Sequence, residues 1–298
     1  RMNSEIAMVQ SVRTSQVVMS GMSGIQISRS QDRNAAEVVK RIPGVSLLEE
    51  RLIVVRGLPS RYNNVWINNT AVPGTEADSR SFSFDLLPSN QLESIMVVKS
   101  QSAEIPADFA GGFVKITTGS MPEKNELQVS LGTGVSTSSH FEKYMISKGS
   151  PTDFLGFDSG ERSLSSVVPQ RMTNNDPEQV SLVTANGFRE AWDVEQKSPL
   201  PDLRLSLMLN RVRKTKRGND IGLTGALNYT KSIQVYRDMH NSRFGAYNWV
   251  EDKPEPIYDY SDNQYNSDSR GGAMLNVAWM DNHNKIEFRN IFNILGKN

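Results

Sequence analysis

The sequence predicts an α+β domain followed by antiparallel transmembrane β-barrel strands, with the barrel incomplete in this chain. Two observations predict it. Short β-branched runs mixed with helix signals give way, after Met121, to longer strands of strict apolar and polar alternation. The connections between those strands then alternate long and short, which is the asymmetry of a membrane barrel with long outer loops and tight inner turns.

Residues 1–30 combine short β-prone runs with Ser and Gly at no sustained period and are expected to be a mobile lead-in. Asp32 is expected to cap a helix in which Ala35, Val38, Val39 and Ile42 share one face, ended by Pro43 and Gly44. Short strands are expected at 45–48, 52–55, 65–67 and 95–98, separated by turn residues. A second short helix is expected over 85–93 with Pro88 in its early turn, and a strand at 113–117 closes the domain, which is placed at 31–120.

The barrel strands are expected within 125–298. Leu127, Val129 and Leu131 alternate with Gln128, Ser130 and Gly132, and Leu203, Leu205, Leu207 and Leu209 with Arg204, Ser206 and Met208. The same period runs through Ile221 to Tyr229, Ala273 to Trp279 and Ile286 to Ile294. The four connections are about 65, about 10, about 40 and about 5 residues long, where compact soluble domains favour short loops. Trp279 and Tyr229 suit an interfacial aromatic girdle.

Composition narrows the function classes. Lys+Arg and Asp+Glu stand at 33 each in 298 residues, so no net field collects nucleic acid or anionic lipid. There is no Cys, which removes thiolate chemistry, Cys-based zinc sites and disulfides. Mean hydropathy is negative and no run suits a membrane-spanning helix, a test that barrel strands escape. His140, His240 and His283 form no HExxH pair, and no GxSxG elbow is present, so an enzyme is not expected. Asp259, Asp262 and Asp268 lack the spacing and central Gly of a calcium hand, so no metal is expected. Tyr247, Trp249, Tyr258 and Tyr260 fall in the connection of about 40 residues and are candidate ligand-stacking residues.

The runs Asn34-Ala-Ala-Glu-Val-Val-Lys-Arg-Ile-Pro-Gly-Val, Leu52-Ile-Val-Val-Arg-Gly-Leu and Arg61-Tyr-Asn-Asn-Val-Trp-Ile-Asn resemble the plug domain of TonB-dependent receptors. Phe82-Ser-Phe-Asp-Leu-Leu-Pro-Ser-Asn-Gln-Leu-Glu-Ser-Ile-Met-Val-Val-Lys and Ala107-Asp-Phe-Ala-Gly-Gly-Phe-Val-Lys-Ile-Thr-Thr resemble the end of that plug in large receptors of the Bacteroidetes type. The resemblance spans residues 25–119; the strands beyond match only in style.

It implies an outer-membrane transporter with the plug in the barrel lumen on the periplasmic side. The transported nutrient would be large and scarce: an iron chelate such as a siderophore, a corrinoid, a glycan or a peptide. The partners implied are TonB with ExbB and ExbD, outer-membrane lipid and a surface-exposed lipoprotein, with no cofactor. A receptor of the same fold acting in signalling, adhesion or envelope assembly is the alternative. By resemblance, Arg56 matches a family arginine that pairs with barrel-wall carboxylates, Lys99 stands where the family often has a second arginine, and Glu93 matches a recurrent acidic position. Lys offers a point charge where Arg offers a bidentate fork, so a latch at Lys99 would be looser. Gly57, Gly111 and Gly112 are expected as structural glycines of the plug. Ile6-Ala-Met-Val is the available candidate for a TonB box.

Overall fold

The structure, a computed structural model, describes residues 4–75, 80–169, 177–187, 194–216 and 218–297. It divides into two compact units. The first comprises Arg1–Val129, Ser206–Asn228 and Gly272–Asn293, and the second Ser130–Leu205, Tyr229–Gly271 and Ile294–Asn298.

The N-terminal domain of the first unit starts earlier than the sequence suggests. Helix α1 (Glu5–Thr14) is capped by Ser4, whose hydroxyl accepts from Ala7 N. Strand β1 (Met19–Ser23) pairs antiparallel with a later strand, from Met19 opposite Val98 to Ser23 opposite Ser94. Helix α2 (Gly24–Ser30) follows through a capping box in which Ser23 and Gln26 satisfy each other's backbone N–H. The expected lead-in is thus built into the fold. Its signals are caps and one short edge strand, too brief to set up a period.

Helix α3 (Ala35–Lys40) lies where its apolar face predicts, but Asn34 caps it, accepting from Glu37 N, rather than Asp32. Asp32 instead holds Arg41 through both carboxylate oxygens and accepts from Ser30. Strands β2 (Val45–Leu48) and β3 (Leu52–Val55) form a hairpin whose turn holds Glu49 and Glu50 at φ 53° and 55°. Strand β4 (Asn64–Ile67) turns through Asn68 and Asn69, also at positive φ, into β5 (Thr70–Ala71). The helix expected over 85–93 is two 3-10 turns, Phe84–Leu86 and Ser89–Gln91. Leu87 is extended because it precedes Pro88, which breaks the helix it was expected to start.

Strands β6 (Leu92–Val98) and β7 (Phe113–Thr118) complete a five-stranded sheet of order β1-β6-β7-β4-β5, with β4 and β7 parallel. One core joins α3 to this sheet through Val38, Val39, Ile53, Phe84, Ile95 and Ile116. A second gathers Val98, Phe109 and Phe113, with Trp66 edge-on to Phe113 at 5.3 Å. The glycine pair at the start of β7 lies close under neighbouring chain. A Cβ on Gly111 would lie 2.2 Å from Asn63 Oδ1, and one on Gly112 2.9 Å from Val55 Cγ1. Gly57 instead has open space and φ +78°, so its requirement is conformational.

Strand β8 (Glu126–Gly134) begins the second sheet. The stretch up to the next long strand contains β9 (Tyr144–Ser147), α4 (Pro177–Asn186) and β10 (Val194–Lys197), with β10 pairing antiparallel to β9. Then come β11 (Asp202–Lys214), β12 (Asp220–Asn248), β13 (Lys253–Met280) and β14 (Lys285–Lys297), in the order β14-β13-β12-β11-β8. Among the described residues β8 and β14 are the open edges, so this sheet does not close.

The sequence expectation fails at the connection of about 40 residues. Strands β12 and β13 run 29 and 28 residues and meet at a turn over 249–252, so most of that connection is strand. Their neighbours β11 and β14 have 13 residues each, so the distal hairpin outruns them. A bilayer needs only about 9–11 residues of strand.

Within the first unit, the strands present apolar side chains outward. Leu207, Ile221, Leu227, Leu275, Phe288 and Phe292 are all exposed. Their sequence neighbours turn inward: Thr224, Ala226, Met274, Asn276 and Ala278 are buried. Monomers in water rarely expose a contiguous apolar face of this kind, while a barrel wall in lipid requires it.

Candidate functional site

The inward face of the strands in the first unit meets the α+β domain through a polar seam. Its centre is Arg289 on β14. The guanidinium donates to Asn68 Oδ1 at 2.6 Å, Thr118 O at 3.2 Å and Ser120 Oγ at 3.2 Å, and pairs with Glu287 at 2.8 Å. Glu287 also pairs with Lys285 at 2.5 Å and accepts from Ser120. Asn68 occupies the β4–β5 turn at φ 52°, a conformation Asn tolerates, and this aims its amide at Thr118 and Arg289 together. Asn276 on β13 is fully buried and donates to Thr118 Oγ1 at 3.0 Å and Gly119 O at 2.8 Å.

The seam continues through Asn90 to Ser206 at 3.1 Å and Gln91 to Asn228 at 3.3 Å. Small residues let the layers approach: a Cβ on Gly222 would lie 2.6 Å from Met121 Sδ. This interface is built from hydrogen bonds and ion pairs around Arg289, with Ile291 of β14 packed against the apolar core of the domain. The polar contacts exchange readily for water, so the seam can hold the domain in one seat and still release it.

The charged residues singled out from the sequence lie elsewhere. Arg56 is exposed at φ 53°, and its N–H donates to Gly44 O. Lys99 Nζ donates to Pro43 O at 2.6 Å and Ser20 Oγ at 3.1 Å, tying β6 to β1 and to the end of α3. Burial, followed by the nearby Arg56 charge, lowers the pKa of Lys99. Glu93 is half-buried at the register shift between β6 and β7. Arg289, Glu287 and Asn276 were not legible, because nothing local in a strand distinguishes an inward polar residue that finds a partner about two hundred positions away. Ile6 to Val9 lie within α1, and Met8 is buried.

In the second unit the structure brings the four aromatic candidates onto the distal hairpin. Tyr247 and Trp249 are edge-on at 4.9 Å, and Tyr258 and Tyr260 stack at 5.4 Å with planes 17° apart. Trp249 is 85% exposed, so this is an open aromatic surface and not a pocket. Tyr229 donates its hydroxyl to Phe154 O.

Residues 11–113 match the family model described as the TonB-dependent Receptor Plug Domain. Over 115 residues, 37% of this chain, the sequence is 30% identical to the vitamin B12 transporter BtuB of Photobacterium profundum, of which the match covers 19%. Among solved structures, the outer membrane transporter YddB from Escherichia coli aligns with 92% of this chain and 33% of its own, at 11% identity and TM-score 0.43. The siderophore receptor PirA from Pseudomonas aeruginosa aligns with 94% of this chain and 42% of its own, at 12% identity and TM-score 0.37. The chain therefore spans less than half the length of each of these proteins.

The α+β domain is a receptor plug, and the antiparallel sheet that follows has the outward apolar face of a barrel wall. Over residues 11–113 the chain carries the plug domain of the TonB-dependent receptors.

Proposed function

We propose that this chain is the plug and the first barrel strands of an outer-membrane transporter. It would take up a scarce, large nutrient, an iron chelate, corrinoid, glycan or peptide, with the plug gating the barrel and TonB, driven by ExbB and ExbD, supplying the pull. The observation that carries the reading is the Arg289-centred seam, which ties the plug to the barrel strands by bonds that water can replace. A plug meant to stay would be better held by a dry apolar interface, since burying ion pairs adds little net stability. The similarity to a vitamin B12 transporter lies in a stretch about as long as the plug and supports uptake without choosing the substrate. No residue is assigned a catalytic role.

The test is uptake by cells carrying the full-length receptor, with and without the inner-membrane TonB protein, across ferric siderophores, corrinoids, glycans and peptides. Uptake of one class that disappears without TonB is the expected result. An intact barrel whose behaviour is independent of TonB and of every substrate would refute transport and point to adhesion or envelope assembly.

A further inference from the structure

The second unit carries a half-open cleft of about 470 Å³ lined by Tyr144, Ile146, Phe154, Phe157, Arg162 and Lys231, among others. Its volume falls in the range of small-molecule sites. The wall over 150–162 is pre-organised. Ser150 Oγ accepts from Thr152 N and Ser159 N, and Asp153 accepts from Ser150 N. Gly156, at φ +92°, rests directly on Gly296 of β14, where a Cβ on either glycine would meet the other's backbone. Tyr144 closes one side, edge-on to Tyr265 at 5.5 Å.

Most of the charges around the cleft are paired. Arg162 is held by both oxygens of Asp153, at 2.7 and 2.6 Å, and by Asp158 at 3.2 Å. Lys197 pairs with Glu195 at 3.1 Å, and Asp268 pairs with Arg270 at 3.0 Å. Lys231 differs. Its ammonium donates to Ser267 Oγ at 2.5 Å and Ser269 Oγ at 2.9 Å, both neutral, and among the described residues it makes no ion pair. An ammonium has three donors, so one remains after the two serines. A half-buried cation with neutral partners and an open donor, facing a preformed cleft with apolar walls, is arranged to receive an anion.

We propose that this cleft binds a small amphipathic monocarboxylate, whose carboxylate pairs with Lys231 and whose apolar body lies against Phe154, Phe157 and Ile146. A single negative charge fits better than two, because the Asp153 and Asp268 carboxylates are close enough to act on Lys231 electrostatically and would repel a dianion. The inference goes beyond the transport reading and stands whether or not the bound molecule crosses the membrane.

The test is calorimetric titration of the detergent-solubilised full-length protein with 4-phenylbutyrate, its neutral amide and phenyl phosphate. The carboxylate is expected to bind about tenfold or more tightly than the amide. Lys231→Gln should erase that preference and Lys231→Arg should keep it. Ser267→Asp supplies an internal anion to Lys231 without leaving a buried charge unpaired, and should erase the preference in a protein that still folds. Equal binding of carboxylate and amide, no binding of either, tighter binding of phenyl phosphate, or a preference that survives both Lys231→Gln and Ser267→Asp would each overturn the proposal.

Discussion

The outward face of the barrel strands yields a prediction that separates lipid from water. Leu227 is 57% exposed on β12 and Ile221 is 40% exposed nearer the start of the same strand. Replacing an exposed Leu or Ile by Arg on a soluble sheet changes stability by less than about 0.5 kcal/mol, because the guanidinium is hydrated in both states. In a bilayer the cost depends on depth. From Asp220, beside the tight turn, to Leu227 the strand advances about 23 Å at about 3.3 Å per residue. With a tilt of about 45° that is a height of about 16 Å, close to the middle of an apolar band about 25 Å tall. Ile221, one residue into the strand, lies near the interface.

Leu227→Arg is therefore expected to cost about 2–4 kcal/mol, toward the lower end if the long stem lets the guanidinium reach headgroups, and Ile221→Arg about 0–1 kcal/mol. The assay is reversible denaturant unfolding of the full-length protein in lipid vesicles, followed by tryptophan fluorescence. Two small and equal effects would refute the lipid-facing assignment. A larger effect at Ile221 than at Leu227 would refute the depth derived from the strand.

The remaining predictions concern the plug. Arg289→Met removes the guanidinium that joins Asn68, Thr118 and Ser120 to Glu287, while Glu287 keeps Lys285 and Ser120 as partners. The expected loss is about 2–3 kcal/mol, below the full cost of an orphaned buried charge. Hydrogen exchange over residues 113–120 in the full-length protein should then accelerate about 30- to 150-fold. Unchanged exchange would mean the seam does not hold the plug. Gly112→Ala drives a Cβ to 2.9 Å from the Cγ1 of fully buried Val55 and should cost about 1–3 kcal/mol. In a Val55→Ala background most of that cost should vanish, and additive effects in a double-mutant thermal denaturation cycle would show that the two sites do not meet.

Local sequence carried the elements whose cause is local. Helix α3 was legible because its apolar face and polar cap lie within a few residues of one another, although the neighbouring Asn34 and not Asp32 serves as the cap. The barrel strands were legible over 203–210 and 286–294, within β11 and β14, because each lies between two different environments and a period of two records that difference. The distal hairpin was missed for the same reason. Past the neighbouring strands it carries runs such as Arg237-Asp-Met-His-Asn-Ser-Arg and Tyr258-Asp-Tyr-Ser-Asp-Asn-Gln, polar enough on both faces that no alternation marks them as strand. The four aromatic candidates were visible as residue types, but only the hairpin shows that they pair on an open surface.

The sequence by itself determined the class of architecture, the order of its parts and the family resemblance of the plug, because these rest on periodicity and on short motifs with fixed spacing. Only the tertiary structure decided which polar residues work together. Arg289 meets Asn68 across 221 positions, Asn276 meets Thr118 across 158, and Lys231 meets Ser267 and Ser269 across 36 and 38. Hydrogen bonds and ion pairs form between groups a few ångströms apart in space, and the chain records their ends at positions that no local pattern connects.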